Sequence, residues 1–138
     1  TARELLARGA ERARVELAEQ PEERGRILHT IGRAYLSLGL FPDALEQLKD
    51  AARAREAALA PDADERFDTY YALGQVYRTM GEWAMADSMF RRVLTARQQR
   101  YGMGSDETSV VIGAMGLLRW RMGEYAAAES LFSEAVRL

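Results

Sequence analysis

Apolar residues return along this chain three and four positions apart. Tyr70, Leu73, Tyr77 and Met80 mark one such stripe, and past Gly81 a second runs through Trp83, Ala86, Phe90, Val93 and Leu94. This spacing puts each set on one face of a helix, with polar residues on the other. No stretch alternates apolar and polar residues in the period of a strand. The pattern predicts seven helices, near 2–20, 22–37, 42–59, 63–80, 83–101, 105–122 and 125–137. Gly39, Gly81 and Gly123 each follow an apolar helix end, where a residue able to take positive φ closes the turn at least cost. Pro42 stands at a helix start, where its missing N–H is no loss. The longer connections, LAPDADER and YGMGSDET, carry Asp62, Asp64, Ser105 and Asp106, whose oxygens are expected to cap the next helix.

The pattern also repeats. MGEWAMADSMF at 80–90 and MGEYAAAESLF at 122–132 agree at seven of eleven positions, and LGLFPDALEQL at 38–48 is a looser copy. Gly32, Gly74 and Gly116 are 42 apart, as are Gly39, Gly81 and Gly123, and Ala44, Ala86 and Ala128. A period of this size means stacked supersecondary units, here helical hairpins, none able to bury its apolar face without neighbours. One domain over 1–138 is expected, with units at 21–62, 63–104 and 105–138. Residues 1–20 form the second helix of a preceding unit, since Ala2 and Leu6 lie 42 before Ala44 and Leu48. A start at Thr1 and a finish at Leu138 inside a helical pattern read as a segment of something longer.

Leu28, Ile31, Gly32, Tyr35, Gly39, Phe41, Ala44, Leu48 and Ala51 resemble the tetratricopeptide repeat (TPR) signature. It returns as Tyr70, Leu73, Gly74, Tyr77, Gly81, Trp83, Ala86, Phe90 and Val93, and again from Ile112 to Ala135. The 42-residue length is similar to the long repeats of the kinesin light chain class. The resemblance implies an all-α fold, a right-handed superhelical α-solenoid of stacked antiparallel helix pairs. Small residues at Gly32, Gly74, Gly116, Ala44, Ala86 and Ala128 should let helices cross closely, and Tyr35, Tyr77, Trp83, Phe90, Tyr125 and Phe132 should fill the space between hairpins. The stretch from Ala7 to Leu40 also resembles the TPR-bearing tails of some bacterial serine/threonine protein kinases, which implies a module of a larger bacterial signalling or regulatory protein.

Charge narrows the function classes. A formal charge of −2 argues against nucleic acid, whose phosphates need a cationic excess. Arg91 and Arg92 then read as a solvated helix face. No cysteine is present to bind metal or form disulfides, and no apolar run approaches the ~18 residues of a membrane span. His29 is the sole histidine and reads as a surface imidazole. Asp62, Asp64, Glu65 and Asp68 lack the glycine and terminal glutamate of a calcium loop, and helix-start capping accounts for them. No glycine-flanked serine nucleophile turn occurs, nor any kinase catalytic motif. Neither an enzyme nor a cofactor is expected. The localisation stays open: soluble and cytoplasmic by default, extracytoplasmic if the kinase-tail resemblance holds.

The resemblance also implies where a partner would lie, on the first helix of each hairpin. Its exposed positions are Arg26, His29, Thr30, Arg33, Leu36 and Ser37 in the first unit. They are Asp68, Tyr71, Ala72, Gln75, Arg78 and Thr79 in the second, and Val110, Gly113, Ala114, Leu117, Trp120 and Arg121 in the third. The lysines and asparagines of a chaperone-type carboxylate clamp are missing from the matching positions, as are the paired asparagines of kinesin light chains. Arg26, Arg33, Arg78 and Arg121 against Asp68 give this set +3 on a chain of −2. A protein or peptide partner with acidic character is therefore expected, anchored beside Tyr71 and Trp120. The alternative is a spacer or self-association module, a homodimer through terminal helices in which Leu131, Ala135, Val136 and Leu138 make contact.

Overall fold

The computed structural model describes residues 1–137, and these form seven α-helices with no strand among the described residues: α1 (Ala2–Glu16), α2 (Pro21–Ser37), α3 (Phe41–Ala58), α4 (Asp64–Thr79), α5 (Trp83–Tyr101), α6 (Asp106–Arg121) and α7 (Tyr125–Arg137). Helices pair as α2 with α3, α4 with α5 and α6 with α7, and each pair packs on the next through α3 against α4 and α5 against α6. α1 packs on α2. The result is a helical-repeat solenoid whose core runs along its length instead of gathering at one centre.

Each pair closes the same way. Gly39, Gly81 and Gly123 take φ of 76°, 80° and 82°. The next residue's N–H then bonds back across the turn: Leu40 to the Tyr35 carbonyl (3.0 Å), Glu82 to Tyr77 (2.8 Å) and Glu124 to Arg119 (2.9 Å). This is the Schellman arrangement, and it uses carbonyls that the helix end leaves over. Inside the pairs, Ala44, Leu48, Ala86, Phe90 and Ala128 are buried. A Cβ added to Gly32, Gly74 or Gly116 would come within 2.6–2.7 Å of Leu48, Phe90 or Phe132 respectively, so the large residue of the second helix lies directly on the glycine of the first.

Several expectations need correction. α1 stops at Glu16 instead of residue 20. The Arg24 guanidinium donates to the carbonyls of Leu17 and Ala18 (2.9 and 2.7 Å), taking up the helix end, and Pro21 then opens α2. Ser105 does cap α6, accepting from the Thr108 N–H at 3.1 Å. The residue before α4 is Ala63, however, which cannot cap, and neither Asp62 nor Asp64 does so. Asp64 instead accepts from the Tyr101 hydroxyl and pairs with Arg100 at the end of α5 (3.3 Å). The aromatic set divides: Tyr35, Tyr77 and Phe90 are buried, whereas Trp83, Tyr125 and Phe132 are exposed. Trp83 and Tyr125 are the first residues of α5 and α7, directly after the tight turns. Arg92 is not merely solvated, since its guanidinium lies 4.1 Å over the Tyr70 ring. No described helix is long and apolar enough to cross a membrane.

Candidate functional site

The first helices α2, α4 and α6 lie side by side, each touching the next. The positions the sequence marked on these helices differ in what they offer. Arg26, Thr30, Arg33, Ser37, Asp68, Val110, Trp120 and Arg121 are exposed; His29, Leu36, Tyr71, Gln75, Arg78, Thr79, Gly113 and Leu117 are half-buried. Ala72 and Ala114 are buried and offer no surface. Trp120 meets Tyr125 edge-on, with ring centroids 6.3 Å apart.

His29 is the clearest departure from the sequence reading. Its Nδ1 lies 3.0 Å from the Thr69 Oγ1, which also accepts from Arg55 Nη1 at 3.1 Å. With Arg55 donating to that oxygen, the hydroxyl proton points most favourably to the imidazole, since the competing Glu65 carbonyl is farther at 3.4 Å. Burial pushes the His29 pKa down to about 4, aided by Arg55 and Arg33. At neutral pH the ring is uncharged.

The cations fall into two groups. Arg26 is held by Glu23, which its hydrogen bond keeps below the usual carboxylate range, and Asp68 is met by Arg97 at 3.4 Å. Burial nonetheless raises the Asp68 pKa against the pull of Arg97 and Arg55. Arg33, Arg78 and Arg121 have no carboxylate partner among the described residues. Arg78 is the unusual one. It sits 5.7 Å from the Phe90 ring centroid, donates to the Ala114 carbonyl at a long 3.4 Å and keeps a buried Nε with no partner. Burial, and after it the nearby Arg121, opposes its charge.

Residues 65–138 match a family model described as Tetratricopeptide repeat, and residues 25–62 match a second model of the same description. The chain belongs to the tetratricopeptide repeat family. Repeats of this family generally mediate protein–protein interaction, and proteins built from them are typically scaffolds without catalysis. No curated protein matches the sequence. Among solved structures the chain is similar to BtubC (BKLC) from P. vanneervenii, at TM-score 0.70 and 18% identity, over 96% of this chain and 53% of that one. At that identity the likeness is one of fold, and this chain spans about half the length of its neighbour.

Two TPR residues that sequence reasoning missed tie successive repeats together. Arg55, near the end of α3, donates to the Glu65 carbonyl at 2.8 Å. Arg97, 42 positions on and near the end of α5, reaches the Glu107 carbonyl at 3.4 Å and lies over the Tyr71 ring. Their common register was the available signal. Of the self-association set, Leu131 and Ala135 are half-buried and Val136 is exposed on α7, while Leu138 lies outside the described residues.

Proposed function

We propose that this TPR segment is a scaffold whose α2, α4 and α6 face, the concave side of such a solenoid, holds an acidic segment of a partner protein. Three arginines on that face, Arg33, Arg78 and Arg121, without carboxylate partners among the described residues carry the reading. Elsewhere the chain pairs several of its arginines with carboxylates, as at Arg3, Arg14 and Arg119. Planar guanidinium forks suit carboxylates, and Trp120 adds flat apolar area beside them. Membership in a larger bacterial regulatory protein is part of the same proposal and rests on the kinase-tail resemblance of the first forty residues.

An array of acidic, neutral and basic peptides, read at low and high salt, tests the proposal. Acidic peptides should be retained, more weakly as salt rises. Arg33→Glu with Arg121→Glu should weaken retention, because the reversed charges repel an acidic segment, and should leave melting unchanged, because both side chains are exposed. Arg8→Glu on α1, away from this face, should leave binding intact. Retention of only basic or neutral peptides, indifferent to salt, refutes the reading.

A second reading has its own observation. Phe132 and Val136 on α7 are 38% and 88% exposed, whereas Phe90, the register equivalent of Phe132, is fully buried. This apolar face fits self-association with a second copy. Sedimentation should then show concentration-dependent mass that Val136→Glu abolishes, and a strict monomer at high concentration ends the idea.

A further inference from the structure

Counting by the repeat period brings three side chains of the shared face into one row: Leu36 on α2, Arg78 on α4 and Trp120 on α6, each 42 positions from the next. Neighbouring helices in contact are about 8–10 Å apart. An extended chain advances about 3.3 Å per residue, so one helix spacing corresponds to about three residues of a bound segment. The middle member of the row is a cation and both outer members are apolar.

We infer that this row reads a sequence pattern: an acidic residue seated on Arg78, with apolar residues three before and three after it seated on Leu36 and Trp120. The inference rests on the groove reading and deepens it by naming the register and spacing of the segment.

Arg78 is chosen over Arg33 and Arg121 on physical grounds. Those two are exposed, where water already stabilises the charge and a new ion pair gains little. Arg78 is half-buried against Phe90, it has one long bond to a carbonyl and a buried Nε without a partner, and no carboxylate neutralises it among the described residues. A desolvated cation that lacks a counterion gains most from one supplied by a ligand. Arg121 nearby adds potential of the same sign, which draws the carboxylate to this end of the helices. On either side, Leu36 is half-buried on the core and Trp120 is 53% exposed, held edge-on by Tyr125. An aromatic held this way offers a flat seat without having to be ordered on binding.

The test uses three fluorescein-labelled synthetic peptides: Leu-Ser-Ser-Asp-Ser-Ser-Leu, the same with Asn for Asp, and a form with one serine removed from each side. Anisotropy titration should give the Asp peptide about tenfold tighter binding than the Asn peptide, as one desolvated ion pair allows. The shortened peptide should fall to the Asn level. Arg78→Gln should erase the Asp-over-Asn ratio. Trp120→Ala, at an exposed position, should weaken both peptides and leave the ratio intact. Equal binding of Asp and Asn peptides, no loss on shortening, or a ratio that survives Arg78→Gln overturns the inference. If acidic peptides of other spacing are still retained through Arg33 and Arg121, the groove reading stands without it. An array with no acidic ligand removes both.

Discussion

A hydrogen atom in place of a methyl group decides how closely the two helices of a hairpin cross. At Gly74 an added Cβ would lie 2.6–2.9 Å from three atoms of the Phe90 ring, and that ring is wholly buried. Gly74→Ala should therefore cost about 1–3 kcal/mol. Gly113 is also inside a first helix, yet nothing lies within 4 Å of the Cβ it would gain, so Gly113→Ala should stabilise by about 0.5–1 kcal/mol through helix propensity. Urea denaturation of the two variants checks the opposite signs, and a stable Gly74→Ala protein would mean that Phe90 can move. The register of 42 made Gly74 readable from sequence. It did not reveal that His29 is held by Thr69, which Arg55 holds in turn, or that Ala72 and Ala114 are buried, because the groups responsible arrive from other elements. Periodicity reports which face a residue occupies. What covers that face is a property of its neighbours.

At the scale of the element, the tight turns were legible and the long connections were not. Gly39, Gly81 and Gly123 solve one backbone problem locally, with the residue type that positive φ demands, so their sequence signal is direct. Arginines join the helices across the long connections. Arg24 takes the carbonyls after α1, Arg55 spans from α3 to the Glu65 carbonyl, and Arg97 spans from α5 to Glu107. A guanidinium carries five donors, so one side chain can bind a carbonyl and a hydroxyl of the next helix together, as Arg55 does with Glu65 and Thr69. The two starts 42 apart also differ: Ser105 accepts from Thr108 and caps α6, while Ala63 leaves α4 with only Asp64 and Glu65 to favour its dipole. Of the carboxylates that looked like caps, Asp64 and Glu65 are first-turn acids, while Asp62 precedes α4 and Asp68 lies beyond its first turn. Asp64 and Asp68 use the rest of their capacity on Arg100 and Arg97, joining the end of α5 to α4.

For the whole molecule, stability is shared between adjacent hairpins, because contact runs only from one unit to the next. A central hairpin is covered on two sides and an end hairpin on one. Phe90 and Phe132 occupy the same register, yet the first is fully buried and the second 38% exposed, since α6 lies over α5 and no described helix lies over α7. Phe90→Ala should cost about 3–5 kcal/mol, and Phe132→Ala roughly half of that. Amide hydrogen exchange in the unmodified protein should follow the same order, with α5 amides the slower and α7 amides opening through local unfolding of the last hairpin. Measuring exchange at two protein concentrations then separates an uncovered end from a paired one. Protection in α7 that rises with concentration, while α5 stays constant, identifies a second copy as the cover. Equal protection of α5 and α7 at every concentration would contradict the nearest-neighbour account, because the end hairpin would then be held by something other than its single packed side.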